Sequence, residues 1–145
     1  MFAKISRIFL YASLCVPLIV VKYSYFPFIA GKAITFRVLV ELALLWFLCH
    51  VLIELGQSEQ RSRAMLEYLK TKLRQPMVVA AMVFGAVFLI SAFTGANVHN
   101  SFWSNFERGD GAFQLIHYVI FFILMVLLFS DRRSMRGLLF VNVAV

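Results

Sequence analysis

Charge is scarce in this 145-residue chain: seven Asp and Glu stand beside fourteen Lys and Arg, together 14% of the residues. Soluble domains carry about 25% charged residues, so the composition excludes an ordinary water-soluble globule. Cysteine is scarcer still. Cys15 and Cys49 lie inside apolar runs on different expected helices, which supports neither a disulfide framework nor a metal site. No polar stretch is long enough for a soluble domain, and there is no internal repeat or low-complexity tract. A cleavable leader lacks its signature. Lys4 and Arg7 precede an apolar run, but Val20, Val21, Lys22, Tyr23 and Ser24 stand where a small-x-small site belongs.

What is abundant is apolar bulk. The chain is 62% hydrophobic and 16% aromatic, with sixteen Phe, and its mean hydropathy is +0.86. The apolar runs are continuous, unlike the alternating segments of about 10 residues in a transmembrane barrel. The expected fold is therefore all-α: a polytopic α-helical membrane protein forming a single membrane domain over 1–145. Four complete transmembrane helices are expected at about 8–28, 34–55, 77–93 and 112–129. Pro27 and Gly31 separate the first two, and Gly56, Gln57 and Ser58 end the second. Between Ser58 and Gln75, Met65, Leu66, Leu69 and Leu73 recur at helical spacing among Arg61, Arg63, Lys70, Lys72 and Arg74. This pattern predicts one interfacial amphipathic helix, stopped by Pro76. A truncated fifth span occupies 137–145. Nine residues at about 1.5 Å each reach roughly 14 Å, under half of a hydrocarbon core of about 30 Å. The chain thus reads as the N-terminal part of a larger protein.

The net charge of +7 invites a nucleic-acid reading. Its distribution argues instead for a membrane with no nucleic-acid partner. With the N-terminus inside, the inner side holds Lys4, Arg7, Arg61, Arg63, Lys70, Lys72, Arg74, Arg132, Arg133 and Arg136, against Lys22, Lys32, Arg37 and Arg108 outside. Ten against four is the positive-inside asymmetry. The lipid bilayer is the first expected partner.

Few residues inside the spans can carry chemistry. Arg37 and Glu41 are four apart on the second span and share a face, with Glu41 roughly 10 Å deep. A carboxylate there costs a few kcal/mol unless paired, so the pair reads as a packing salt bridge or as part of a polar pocket open to the outer face. His50 and Glu54 repeat the spacing where both reach interfacial water. His117 stands on the outer half of the fourth span, with Gln114 and Arg108 as candidate neighbours.

The outer loop is the most specific segment: Ser101, Phe102, Trp103, then Phe106, Glu107, Arg108, then Asp110 and Gly111, with Leu115 and His117 following. An Arg flanked by carboxylates suits an anionic headgroup, because guanidinium forms paired hydrogen bonds to phosphate oxygens. At these residues the chain resembles the O-antigen ligase and polymerase-like family of bacterial membrane glycosyltransferases. Phe106 stands where that family commonly has Tyr, and Asp110 where it has Glu. The stretch Phe28, Gly31, Lys32, Phe36, Arg37, Val40 and Glu41 is similar to the start of the family's second span. The likeness runs from about Leu14 to Phe129.

The resemblance implies transfer of a saccharide from a polyprenyl pyrophosphate-linked glycan donor to an outer-face acceptor, whether saccharide, lipid or protein. It implies a multi-pass protein of the bacterial plasma membrane with its N-terminus cytoplasmic, and neither cofactor nor metal. Arg108, Arg37 and Lys32 are the expected positions for pyrophosphate or sugar, with Glu107, Glu41 and His117 beside them. The family's large late outer loop, thought central to catalysis, is not in this chain, so no catalytic base is assigned. The rivals are a transporter or flippase fragment, which would show broken helices with midplane polar residues, and a noncatalytic membrane scaffold.

Overall fold

A computed structural model describes residues 1–19, 30–104 and 110–144. Among them every regular element is helical: α1 (Phe2–Leu14), a 3-10 turn (Val16–Leu18), α2 (Ala30–Gln57), α3 (Glu59–Leu73), α4 (Pro76–Thr94), α5 (Val98–Trp103), α6 (Ala112–Leu128) and α7 (Arg132–Ala144).

The first helix differs from the expected span at 8–28. α1 starts at Phe2 and stops at Leu14, about 20 Å of helix. The cause is Pro17. It has no N–H to give the Ser13 carbonyl, and its ring clashes with an α-helical turn there. The backbone tightens into the 3-10 turn and leaves it extended at Ile19. The aromatic end of the expected span, Tyr23 to Phe28, lies outside the described residues.

Of the four complete spans expected, two helices are long and apolar enough to cross a membrane: Gly31–Gln57 within α2, and Pro76–Thr94. α6 is equally apolar but has 17 residues. Pro76 opens α4 at a position where its missing N–H has no helical partner in any case. α7 begins at Arg132 rather than near Gly137, because Asp131 caps it. The Ser134 amide donates to Asp131 Oδ2 at 3.1 Å.

α3 follows α2 after the single residue Ser58, whose hydroxyl accepts from the Arg61 amide. Glu59 in its first turn and Lys70 and Lys72 in its last complement the helix dipole. None of its residues is buried. Tyr68 docks it against the end of α6, its hydroxyl donating to the Leu127 carbonyl at 2.5 Å beside Ser130.

Contacts set the helix directions. Phe2 stacks on Trp46 and the buried Ser6 hydroxyl donates to the Ala43 carbonyl at 2.7 Å, so α1 and α2 are antiparallel. α2 runs parallel to α6, since Phe36 meets Tyr118 and Phe121 while Phe47 and Leu124 share the core. α4 is antiparallel to α6. Its buried residues Val78, Gly85 and Ala92 recur every seven positions, which makes one seam. A Cβ at Gly85 would lie 3.2 Å from Val119, so the missing side chain lets the two backbones approach. The core joins Leu10, Ala43, Phe47, Leu124, Leu128 and Phe129. Only 17% of the apolar window of α2 or of α4 is buried. Soluble core helices hide such surface, whereas here Met77, Phe84, Val87 and Ile90 point outward and form an exposed apolar face.

Candidate functional site

Helical spacing puts Arg37 and Glu41 on one face of α2, and Gln114 and His117 one turn apart on the facing side of α6. The two parallel helices bring these pairs into register. Arg37 Nε donates to Gln114 Oε1 at 2.5 Å, and Glu41 Oε1 lies 3.0 Å from His117 Nε2. The two residues of the expected Arg37–Glu41 pair each reach across to α6, Arg37 to Gln114 and Glu41 to His117.

Gln114 and His117 are 2% and 4% exposed. A buried polar side chain without partners costs roughly 1–3 kcal/mol, and here each has one. His117 has two. Its Nδ1 sits 2.7 Å from the Phe113 carbonyl, which can only accept, so Nδ1 carries a hydrogen. Nε2 faces Glu41 Oε1, so the ring bridges the Phe113 carbonyl and the Glu41 carboxylate. The Glu41 side chain is 58% exposed, so the array opens outward at this carboxylate.

Phe113 is the hinge of the site. The Arg37 guanidinium lies 5.0 Å from its ring centre and His117 meets it edge-on at 4.7 Å. Phe102 and Trp103 of α5 pack on the same ring. This approach depends on Gly111, where a Cβ would fall 2.2 Å from the Phe102 carbonyl oxygen. The chain leaves α5 through Ser104, at φ 63° and ψ −173°, a region that favours glycine.

Beside the array, a cavity of about 450 Å³ opens between α1, α2, α6 and α7. Lys32, Asp110, Gln114, Tyr118 and Asn142 give it polar groups. Lys32 is half-buried, and among the described residues nothing hydrogen-bonds or ion-pairs with it. The carboxylates of Asp110 and Glu41 lie within electrostatic reach of Arg37.

Of the six expected site residues, Arg37, Glu41, His117 and Lys32 gather at one end of the α2–α6 pair. Glu107 and Arg108 lie outside the described residues. In the other pair, His50 and Glu54, the Glu54 carboxylate meets Arg61 across the α2–α3 bend at 3.9 Å. Asn142 was missed. Its signal was a lone polar side chain in an apolar run, the same signal that marks Gln114 and His117. No family model, curated protein or solved structure matches this chain.

Proposed function

We propose that this chain acts in the membrane transfer of a saccharide from a polyprenyl pyrophosphate carrier to an outer-face acceptor, as the N-terminal membrane portion of a glycan ligase or polymerase. The observation that carries the reading is the array of Arg37, Gln114, Glu41 and His117 beside a cavity holding Lys32. Pyrophosphate is a leaving group on which negative charge develops, and fixed cations and amide donors stabilise such charge most where water is excluded. Arg contributes a planar fork and Lys a point charge. Ionisable groups within apolar spans are costly to keep and commonly mark a substrate path. Phe102 and Trp103, in the segment central to the family resemblance, pack on Phe113 at the same end.

The topology that goes with this function has the N-terminus on the cytoplasmic side of a bacterial plasma membrane, four crossings and the basic segments inside. Two features support it. α1, α4 and α7 run one way while α2 and α6 run the other. The Tyr68–Ser130 contact also gathers the basic α3 and the start of α7 at one end of the bundle.

Deleting the coding sequence in its own cell tests the function. Carrier-linked glycan is expected to accumulate, and to be consumed again when the parent gene is returned but not with Arg37→Gln. An unchanged pool of carrier-linked glycan after deletion would refute it.

A further inference from the structure

The cavity between α1, α2, α6 and α7 carries two charges of opposite sign, and neither is answered from within. Lys32 and Asp110 both line it, and among the described residues neither takes part in a hydrogen bond or a salt bridge. Four helix ends meet there. Ser13 and Leu14 close α1, Lys32 stands in the first turn of α2, Asp110 and Gln114 flank the start of α6, and Asn142 comes from the last turn of α7. Further along the helices the lining turns aromatic, with Phe36 one turn past Lys32 and Phe121 roughly 10 Å of helix beyond Gln114. A charged rim at the ends of apolar helices lies where Lys reaches the level of lipid headgroups. The volume, about 450 Å³, falls in the range of about 300–1,000 Å³ that holds a small ligand. It suits a headgroup with its glycerol rather than two acyl chains.

The two charges together select the occupant. A lone ammonium attracts any anion, but the Asp110 carboxylate beside it repels one. A headgroup with both a phosphate and a primary ammonium satisfies the two at once. Lys32 donates to the phosphate oxygens, and Asp110 accepts from the ammonium. The quaternary ammonium of choline has no N–H to give a carboxylate. The side-chain amides of Gln114 and Asn142 add neutral donors and acceptors between the charges. We propose that this cavity binds the headgroup of phosphatidylethanolamine, its phosphate at Lys32, its ammonium at Asp110 and its acyl chains leaving past Phe36 and Phe121 into the bilayer. The inference stands apart from the transfer function, which rests on the array at Arg37; at Lys32 the two ligands would compete.

The test is native mass spectrometry of the full chain in detergent, offered equal amounts of dioleoyl phosphatidylethanolamine, phosphatidylcholine and phosphatidylglycerol. The parent is expected to retain phosphatidylethanolamine about tenfold over either competitor, and Lys32→Gln to lose that preference. Asp110→Asn removes the acceptor for the ammonium and the repulsion of anions together. Its preference is therefore expected to move to phosphatidylglycerol, a change that misfolding would not produce. Phe84→Trp, at a position 59% exposed on α4 and outside the cavity lining, is expected to match the parent. Soluble phosphoethanolamine separates a lipid site from a site for the free headgroup, and in large excess it is expected to leave the lipid in place. Three results would each overturn the proposal: no preference for phosphatidylethanolamine in the parent, an unchanged preference in Lys32→Gln or Asp110→Asn, or displacement by soluble phosphoethanolamine. None of these bears on the glycan pool of the deletion cell, so either reading can fail without the other.

Discussion

Gly111→Ala is the sharpest perturbation the structure offers, because one methyl group collides with backbone rather than with a movable side chain. The new Cβ would sit 2.2 Å from the Phe102 carbonyl oxygen, 2.7 Å from its carbon and 2.8 Å from the Ser104 nitrogen. To restore even 3.0 Å, α5 must withdraw from α6 by about 0.8 Å. That movement loosens the Phe102 and Trp103 rings from Phe113, at present 5.9 and 5.0 Å centre to centre. Aromatic pairs contribute about 0.5–1.5 kcal/mol each, so losing both costs roughly 1–3 kcal/mol. The chain has two tryptophans, Trp46 and Trp103, so a Trp46→Phe background reports on Trp103 alone while keeping an aromatic ring against Phe2. In detergent micelles, Gly111→Ala is expected to shift Trp103 emission to the red and to lower unfolding stability by that amount. Gly56→Ala is the control. Its Cβ would meet nothing within 4 Å, and Ala is favoured over Gly by up to about 1 kcal/mol in a helix. Parental emission and stability in Gly111→Ala would refute the close approach of α5 and α6.

Two further outcomes follow from named contacts. Glu41→Leu strips the buried His117 Nε2 of its partner and is expected to cost about 1–3 kcal/mol, much of it recovered in a double variant with His117→Leu, as a double-mutant cycle would show; equal additive losses would argue against the pair. Hydrogen bonds from Ser134 hold the Asp131 carboxyl below its ordinary 3.8. The cap is therefore fully present above that value and is lost as pH falls below it, so the protection of the Ser134 amide relative to its intrinsic exchange rate should fall in acid, and Asp131→Ala should abolish that pH dependence.

Much of the helix map was legible in residue order alone. α4 and α6 begin and end within about one residue of their expected bounds, because Pro76, Gly95 and Gly111 interrupt apolar runs at defined points. The amphipathic spacing of Met65, Leu69 and Leu73 similarly marked α3. Pro17 stands in the sequence too, but hydropathy ignores the backbone N–H, so the apolar run continues through a residue that stops the helix.

Sequence by itself determined the helical class, the apolar surface, the basic segments and which polar residues interrupt the runs, since these depend on composition and local period. Tertiary structure decided how those residues meet. Spacing placed Arg37 and Glu41 on one face of a helix, but it carries no information about the rotation of that helix against α6. That rotation is set by distant contacts: Ser6 on the Ala43 carbonyl, Phe36 on Tyr118 and Phe121, and Gly85 against Val119. Only with those in place do Arg37 reach Gln114, Glu41 reach His117, and Asn142 arrive from the far end of the chain to complete a cavity with Lys32.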